Sequence, residues 1–319
     1  MRNSLEITEE RLRTCLMEHY DVTAATIVFL PLGLDYSSAV YHVVSPQGAA
    51  YLLKLTSKPV YEPQYRIPRF LHDQGIAEVV APLSTKRGSL WTRLADWTVA
   101  VYPYIDGDSS FDGMSAGQWK QVGTIFARIH RIGLPPQGLG PIRRESFDSA
   151  VYVWWIRTLE DQLARWEGGS EPERALHASW VEHRLAIHAK LDGLIELAAS
   201  LRERAIPLVI CHADLHPANV IRDQAGHAFI IDWDDVMLAP KERDFIFAGP
   251  PHDQDFFQGY GAVEVDETVL AYYRAERVLQ DLIACARNVW LQDDLGEDAK
   301  ADAVELFQRI MMAESTGRS

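Results

Sequence analysis

Cysteine is scarce in this 319-residue chain, which has only Cys15, Cys211 and Cys285. They lie far apart, are odd in number and form no C-x-x-C pair. That excludes a disulfide framework and fits a reducing compartment, so a cytoplasmic location is expected. Long apolar runs are lacking as well. No uncharged stretch approaches the roughly 20 residues a membrane-spanning helix needs. The first residues, MRNSLEITEE, are charged rather than apolar, so no signal peptide is expected. Low-complexity tracts and internal repeats are absent. Positive charge is in deficit, with 31 bases against 45 acids and a formal net charge of -14. A field of that sign repels nucleic acid and anionic membranes and attracts cations, which suits a polycationic small molecule. The rest is ordinary for a folded protein, 47% apolar and 24% charged. The length admits one large domain or two of common size.

What the chain does have is concentrated between Leu208 and Asp235. The run Leu208-Val209-Ile210-Cys211 reads as a short buried strand, with Cys211 a buried thiol. It delivers His212, Asp214, His216 and Asn219. Val220 and Ile221 lead away, a turn with Gly226 follows, and Phe229-Ile230-Ile231 runs into Asp232. The expected hairpin presents Asp214 and Asn219 at one end with Asp232 beside them. The spacing H-x-D-x-x-x-x-N, followed by an acid after an apolar strand, is the layout of magnesium-dependent phosphoryl transfer. Asp214 would face the attacking hydroxyl. Asn219 and Asp232 would hold Mg²⁺, which prefers hard oxygen ligands. A polar turn between two core strands is the plainer alternative, and one motif alone leaves it open.

Upstream, Thr8 is placed to cap a first helix, with Glu9 and Glu10 in its opening turn. Strands are expected over 25–30, 39–44 and 50–55. The loop 32–38 between the first two has a single glycine, and its Ser37 and Ser38 offer N–H groups and hydroxyls to a phosphate. Lys54 stands inside the apolar run Tyr51-Leu52-Leu53-Lys54-Leu55. Alone it would read as a lysine snorkelling from an edge strand. Beside the catalytic motif it reads as the lysine that binds nucleotide phosphates. A short strand over 78–83 and a hairpin over 89–105 complete this part.

From Ser115 the pattern turns helical. Ser115 and Gln118 form a capping box, and Trp119, Val122, Phe126 and Ile129 share one face. Further helices are expected over 148–166, 172–204, 241–248, 266–291 and 298–313. Core packing is expected for at least one of Trp154 and Trp155. Asp244 would brace the catalytic loop, and Arg277 and Asp281 form a surface pair. Strands first and helices second give an α+β chain.

CHADLHPANV and IIDWDD resemble the catalytic and metal segments of the aminoglycoside phosphotransferases, relatives of the protein kinases. LHDQGI, VAVYPYIDG, QWKQVGTIFARIH, MLAPKERDF, QGYG and VDETVLAYYRAERVLQD are most similar to the spectinomycin phosphotransferases. The resemblance implies a two-lobed protein-kinase-like fold, with a small β-rich lobe over 1–105 and a larger helical lobe over 106–319. It implies a monomer that uses ATP and Mg²⁺ to phosphorylate a hydroxyl of spectinomycin or a related aminocyclitol. Pro103 and Ile105 would supply the hinge C=O and N–H to adenine. Glu62, ten residues before His72, would pair with Lys54, although Pro63 and Pro68 flank it and Pro68 should kink or delay that helix. His216 takes the place of a basic residue in kinase catalytic loops and would touch the γ-phosphate. His212 would brace the loop. Trp233-Asp234 replaces the Phe-Gly of protein kinases and no A-P-E segment follows, which argues against a protein substrate. For the cationic acceptor the candidates are Asp214, Asp234, Asp235 and Glu276; Glu276 is preferred to Asp281, which has Arg277 four residues away. A kinase of another small hydroxyl compound, such as choline or homoserine, and a silent nucleotide-binding module stay open as alternatives.

Overall fold

Thr8 sets the first element: its side chain accepts from the Arg11 N–H and opens helix α1, Glu9–Tyr20. The computed structural model describes residues 7–31, 37–135, 138–249, 252–292 and 295–315. After α1 come strands β1 (Thr26–Leu30), β2 (Ser38–Val44) and β3 (Ala50–Thr56), helix α2 (Pro63–Asp73), then β4 (Thr92–Leu94), β5 (Trp97–Pro103) and β6 (Gly107–Asp108). Helices α3 (Ala116–Arg131), α4 (Ala150–Ala164) and α5 (Glu171–Arg202) follow. Strands β7 (Val209–Cys211), β8 (Val220–Asp223), β9 (Ala228–Ile230) and β10 (Met237–Ala239) lead to α6 (Glu242–Phe245), α7 (Asp253–Tyr260), α8 (Glu267–Trp290) and α9 (Glu297–Ser315). Among the described residues no helix is long and apolar enough to cross a membrane.

Two compact units emerge. The first comprises Met1–Arg144 and Leu208–Val263, the second Glu145–Pro207 and Glu264–Ser319. The expected boundary at 105–106 falls inside the first unit. The reason is pairing: β6 joins β8 and β9 in a three-stranded sheet, and Val79 bridges Ile230. The hairpin that carries the catalytic motif thereby stays with the N-terminal sheet. A side chain at Gly107 would run into the Arg222 carbonyl, so glycine is required where β6 meets β8.

That N-terminal sheet is antiparallel, in the order β1-β2-β3-β5-β4. Strand alternation sends Tyr41, Val43, Leu53, Leu55, Val99 and Val101 into a core with Leu12 and Leu16 of α1. The register Val40–Lys54–Ala100 therefore lies on the opposite face. Lys54 can sit in an apolar run because its side chain points away from that core. The β4–β5 hairpin turns on Ala95 and Asp96, with Ala95 left-handed at φ 53°.

Two expectations are corrected here. Residues 78–83 do not form a strand. They are an extended connector shared between two partners, Ile230, which accepts from Val80, and Val101, which accepts from Leu83. Pro68 does not delay α2, which starts at Pro63. The helix continues across it, and Pro68 is buried beside Ile67 and Leu71. Pro68 lacks the N–H that would reach the Gln64 carbonyl, whereas Pro63 lacks only a first-turn N–H that is orphaned in any case.

The second unit is helical. Pro172 and Glu173 open α5, Glu173 accepting from the Ser170 N–H at 3.0 Å and from Lys300 of α9 at 2.8 Å. Trp180 meets Trp290 edge-on and Phe307 face-on, and these rings centre the core of the unit. The expectation that Trp154 or Trp155 is core is corrected. The buried stripe of α4 is Tyr152, Ile156 and Leu159, which leaves Trp154 exposed and Trp155 under the Arg287 guanidinium.

Candidate active site

Strand β7 pairs with β10, Ile210 opposite Leu238, and ends at Cys211. The chain then turns sharply, with Ala213 left-handed at φ 70°. A non-glycine residue in that region costs of order 1–3 kcal/mol and needs support from its surroundings. Asp244, fully buried on α6, supplies it. Its two oxygens accept from the His212 N–H at 3.0 Å and the Ala213 N–H at 2.8 Å. Asp244 braces the catalytic loop, as expected. Behind it, His130 Nε2 donates to Asp244 at 3.0 Å, so Nδ1 is the acceptor for the Tyr260 hydroxyl at 2.8 Å.

His212 ties this loop to the next one. Its Nε2 donates to the Ile231 carbonyl at 2.8 Å while Nδ1 accepts from the Asp214 N–H at 3.3 Å. Trp233 packs against its ring with centroids 4.7 Å apart. Asn219 closes the turn Pro217–Asn219. Its Nδ2 donates to the Asp214 carbonyl at 2.8 Å and to Asp214 Oδ2 at 3.3 Å, and lies 3.2 Å from His216 Nε2. With the nitrogen so committed, Oδ1 is the atom the amide offers a cation. His216 Nε2 lies 3.4 Å from Asp214 Oδ2, which brings base, amide and imidazole together.

Asp232 is also left-handed, at φ 62°. It meets Lys54, whose Nζ donates to Asp232 at 2.8 Å and to both oxygens of Asp234 at 2.9 Å. Loss of hydration works against the ammonium, but the two carboxylates outweigh it and hold Lys54 well above its ordinary range. Loss of hydration lifts Asp234 above the usual carboxylate range, and Asp232 beside it adds to the rise. For Asp232 the same effect is outweighed by the Lys54 charge, which holds it below that range. Asp214, Asn219, Asp232 and Asp234 are hard oxygen donors, and the last two already share one cation. Asn219 and Asp232, the pair expected to hold the metal, thus have the donor chemistry that suits Mg²⁺.

The remaining candidates fall as follows. Glu62 does not reach Lys54; it accepts from Arg66 Nε at 2.8 Å, one turn along α2. Ser38 opens β2 opposite Thr56, and the Ser37 carbonyl accepts from the Ser57 N–H at 2.9 Å. The rest of that loop, 32–36, lies outside the described residues. Pro103 closes β5 opposite Tyr51, and Ile105 stands between β5 and β6. Asp235 accepts from Arg143 at 3.3 Å. Glu276 belongs to the second unit, is 7% exposed, and accepts from the Tyr152 and Tyr272 hydroxyls at 2.9 and 3.2 Å. Sequence reasoning missed Arg143. It donates to the Asp234 carbonyl at 3.0 Å and lies over the Tyr61 ring, while the Tyr61 hydroxyl donates to Val236 O at 2.8 Å. An arginine in a loop rich in glycine and proline carries no signal of its own, and only the fold brings it to Asp234.

A profile of the phosphotransferase enzyme family matches residues 28–284. The chain belongs to that family. Protein StrN of Streptomyces griseus is 25% identical to this phosphotransferase over 252 residues, 76% of this chain and 75% of its own. An aminoglycoside 3'-phosphotransferase of Streptomyces ribosidificus is 31% identical over 97 residues, 26% of this chain and 37% of that one. Among solved structures, spectinomycin phosphotransferase APH(9)-Ia, in complex with ADP and spectinomycin, superposes with a TM-score of 0.87 at 27% identity. The match covers 98% of this phosphotransferase and 100% of that chain. The expected α+β, kinase-like fold is thus the observed one, with sheet in the N-terminal region and helices in the C-terminal region.

Proposed function

We propose that this phosphotransferase moves the γ-phosphoryl group of ATP to a hydroxyl of spectinomycin or a related aminocyclitol. The observation that carries the chemistry is the joining of Lys54 to Asp232 and Asp234, in the unit that also holds Asp214 and Asn219. The likeness to spectinomycin phosphotransferase over nearly the whole chain supports the acceptor class.

In this reading Asp214 accepts a hydrogen bond from the acceptor hydroxyl and orients its oxygen toward the γ-phosphorus. A bond forms from that oxygen to phosphorus, the bond to the β–γ bridging oxygen breaks, ADP leaves, and the hydroxyl proton passes late to Asp214. Lys54 offers its charge to the α and β phosphates. Asn219 and Asp232 would hold Mg²⁺, which would supply positive charge to offset that of the phosphates. His216 lies beside Asp214, within reach of the transferred group when protonated. Ser37 and Ser38 bound the phosphates, while Pro103 and Ile105 meet adenine. Asp234 and Asp235 are the carboxylates assigned to the acceptor's ammonium groups. Asp234 is free for that role only when Lys54 has turned to phosphate.

The test is ADP release with spectinomycin, other aminoglycosides, choline and homoserine, together with growth of a sensitive bacterium expressing the chain on spectinomycin. Spectinomycin should give the highest kcat/KM and growth should be restored. Preference for choline or homoserine would replace the acceptor in this reading. No turnover with any acceptor would make the chain a silent nucleotide-binding module.

A further inference from the structure

Phe111 is 60% exposed. Single exposed apolar side chains are common and need no explanation. This one differs in how firmly it is presented. The Arg222 side chain, 4% exposed, lies beneath residues 108–112 and spends its donors on them. Its Nε donates to Asp108 O at 3.1 Å, one terminal nitrogen to Asp112 O at 3.3 Å, and the other to Ser110 O at 3.1 Å and Ser110 Oγ at 3.0 Å. It also pairs with the Asp108 carboxylate. Asp108 in turn accepts from the Ser110 N–H and hydroxyl, each at 2.9 Å. A buried guanidinium is a costly foundation for a surface loop unless it is paired and hydrogen-bonded, and here all three of its nitrogens donate to the loop. The large apolar group this loop displays is Phe111.

The ring is not turned to empty solvent on both sides. It stacks on His216, centroids 5.0 Å apart at 25°, and Phe247 meets the same imidazole edge-on at 5.9 Å. His216 Nε2 is 3.4 Å from Asp214 Oδ2. One face of the phenyl ring therefore covers His216, whose Nε2 lies against Asp214, and the rest of the ring is open to solvent. An aromatic face carries negative potential and attracts an ammonium or a C–H surface polarised by one. A rigid polyol with cationic amines presents both.

We propose that Phe111 is an acceptor-binding residue, whose open face takes an ammonium-bearing ring face of the substrate and sets a hydroxyl toward Asp214. The inference rests on the aminocyclitol reading for its ligand and on the geometry of the loop for its place. The loop supplies specificity for cationic, ring-shaped acceptors, because the stack requires a substrate face as well as a hydroxyl.

Steady-state kinetics of Phe111→Ala, Phe111→Leu and Phe111→Trp, varying acceptor and ATP in turn, provide the test. Removing the ring should raise the acceptor KM roughly 2- to 30-fold, the range for an exposed to a desolvated cation–aromatic contact. The ATP KM should be unchanged, Leu should not rescue, and Trp should restore binding. Calorimetric titration of spectinomycin into each variant, with a non-hydrolysable ATP analogue bound, should show the same loss without turnover. An unchanged acceptor affinity in Phe111→Ala overturns the proposal. So does an equal rise in both KM values, which would make the ring a nucleotide contact. A wild type that prefers choline defeats the aminocyclitol reading alone, and the same variants then judge Phe111 on choline. A wild type that binds no cationic acceptor defeats both.

Discussion

At the scale of the residue, the site is a small number of side chains held in costly conformations by others. Ala213 and Asp232 are both left-handed without being glycine, one on each side of the base. Asp244 and His212 restrain them, the first through two backbone N–H groups and the second through the Ile231 carbonyl. In the proposed reaction the catalytic burden falls on Asp214. Asp214→Ala should lower turnover by about two to four orders of magnitude, the range for removing a general base. Asp214→Asn should retain more, because the transition state is loose and the proton leaves late. Comparing kcat of the three proteins on the true acceptor checks this, and a near-wild-type kcat in Asp214→Ala would remove the residue from the reaction. The motif H-x-D-x-x-x-x-N made this cluster legible, since its spacing is local. Asp234 was legible only as a candidate carboxylate for the acceptor, next to Asp232. Its bond to Lys54 joins residues 180 positions apart, which no local pattern encodes.

Among the elements, caps and stripes were the readable features. Thr8 and Ser115 precede helices whose start their side chains predict, and the structure shows Ser170 in the same position before α5. Asp266 does the same for α8, accepting from the Thr268 and Val269 N–H groups and from Arg204. The Arg204 hydrogen bond, aided by those N–H groups, holds its carboxyl below the usual range. A lowered folded-state pKa stabilises the fold above the unfolded-state value, and the contribution is lost as pH falls through the folded one. Asp266→Ala should therefore cost about 0.5–2 kcal/mol at neutral pH. That difference from wild type should narrow as pH falls below about 4. Urea denaturation of both proteins across this range measures it; a gap that widens toward acid would contradict the assignment. Elements set by neighbours rather than by local chemistry were not readable. Strand β10 exists because β7 needs a partner, and residues 78–83 fail to become a strand because β9 and β5 each take only part of them.

For the whole molecule, charge is the property that the sequence states without ambiguity. A formal charge of -14 sets up a field that draws in cations. If the acceptor is a cationic aminocyclitol, its kcat/KM should fall as salt rises from roughly 0.01 to 0.3 M, where the screening length shrinks several-fold. The kcat/KM for ATP, an anion, should not fall with it. A salt series at fixed Mg²⁺ separates the two, and equal falls would point to a general salt effect rather than steering. The division into units is the property that the sequence leaves hidden. The first unit is built from two separate stretches of chain, since β6, β8 and β9 hydrogen-bond across a long gap in sequence.

By itself the sequence determined the family and most of the order of strands and helices, and it singled out Lys54, Asp214, Asn219 and Asp232 as site candidates. Each of these rests on short-range information: periodicity, caps and motif spacing. Tertiary structure decided which groups meet. It paired Glu62 with Arg66 and gave Lys54 to Asp232 and Asp234. It laid Arg143 along the metal segment, and stacked Phe111 on His216. The physical reason is that a side-chain contact depends on distances across a folded chain, whereas a motif depends only on neighbours along it.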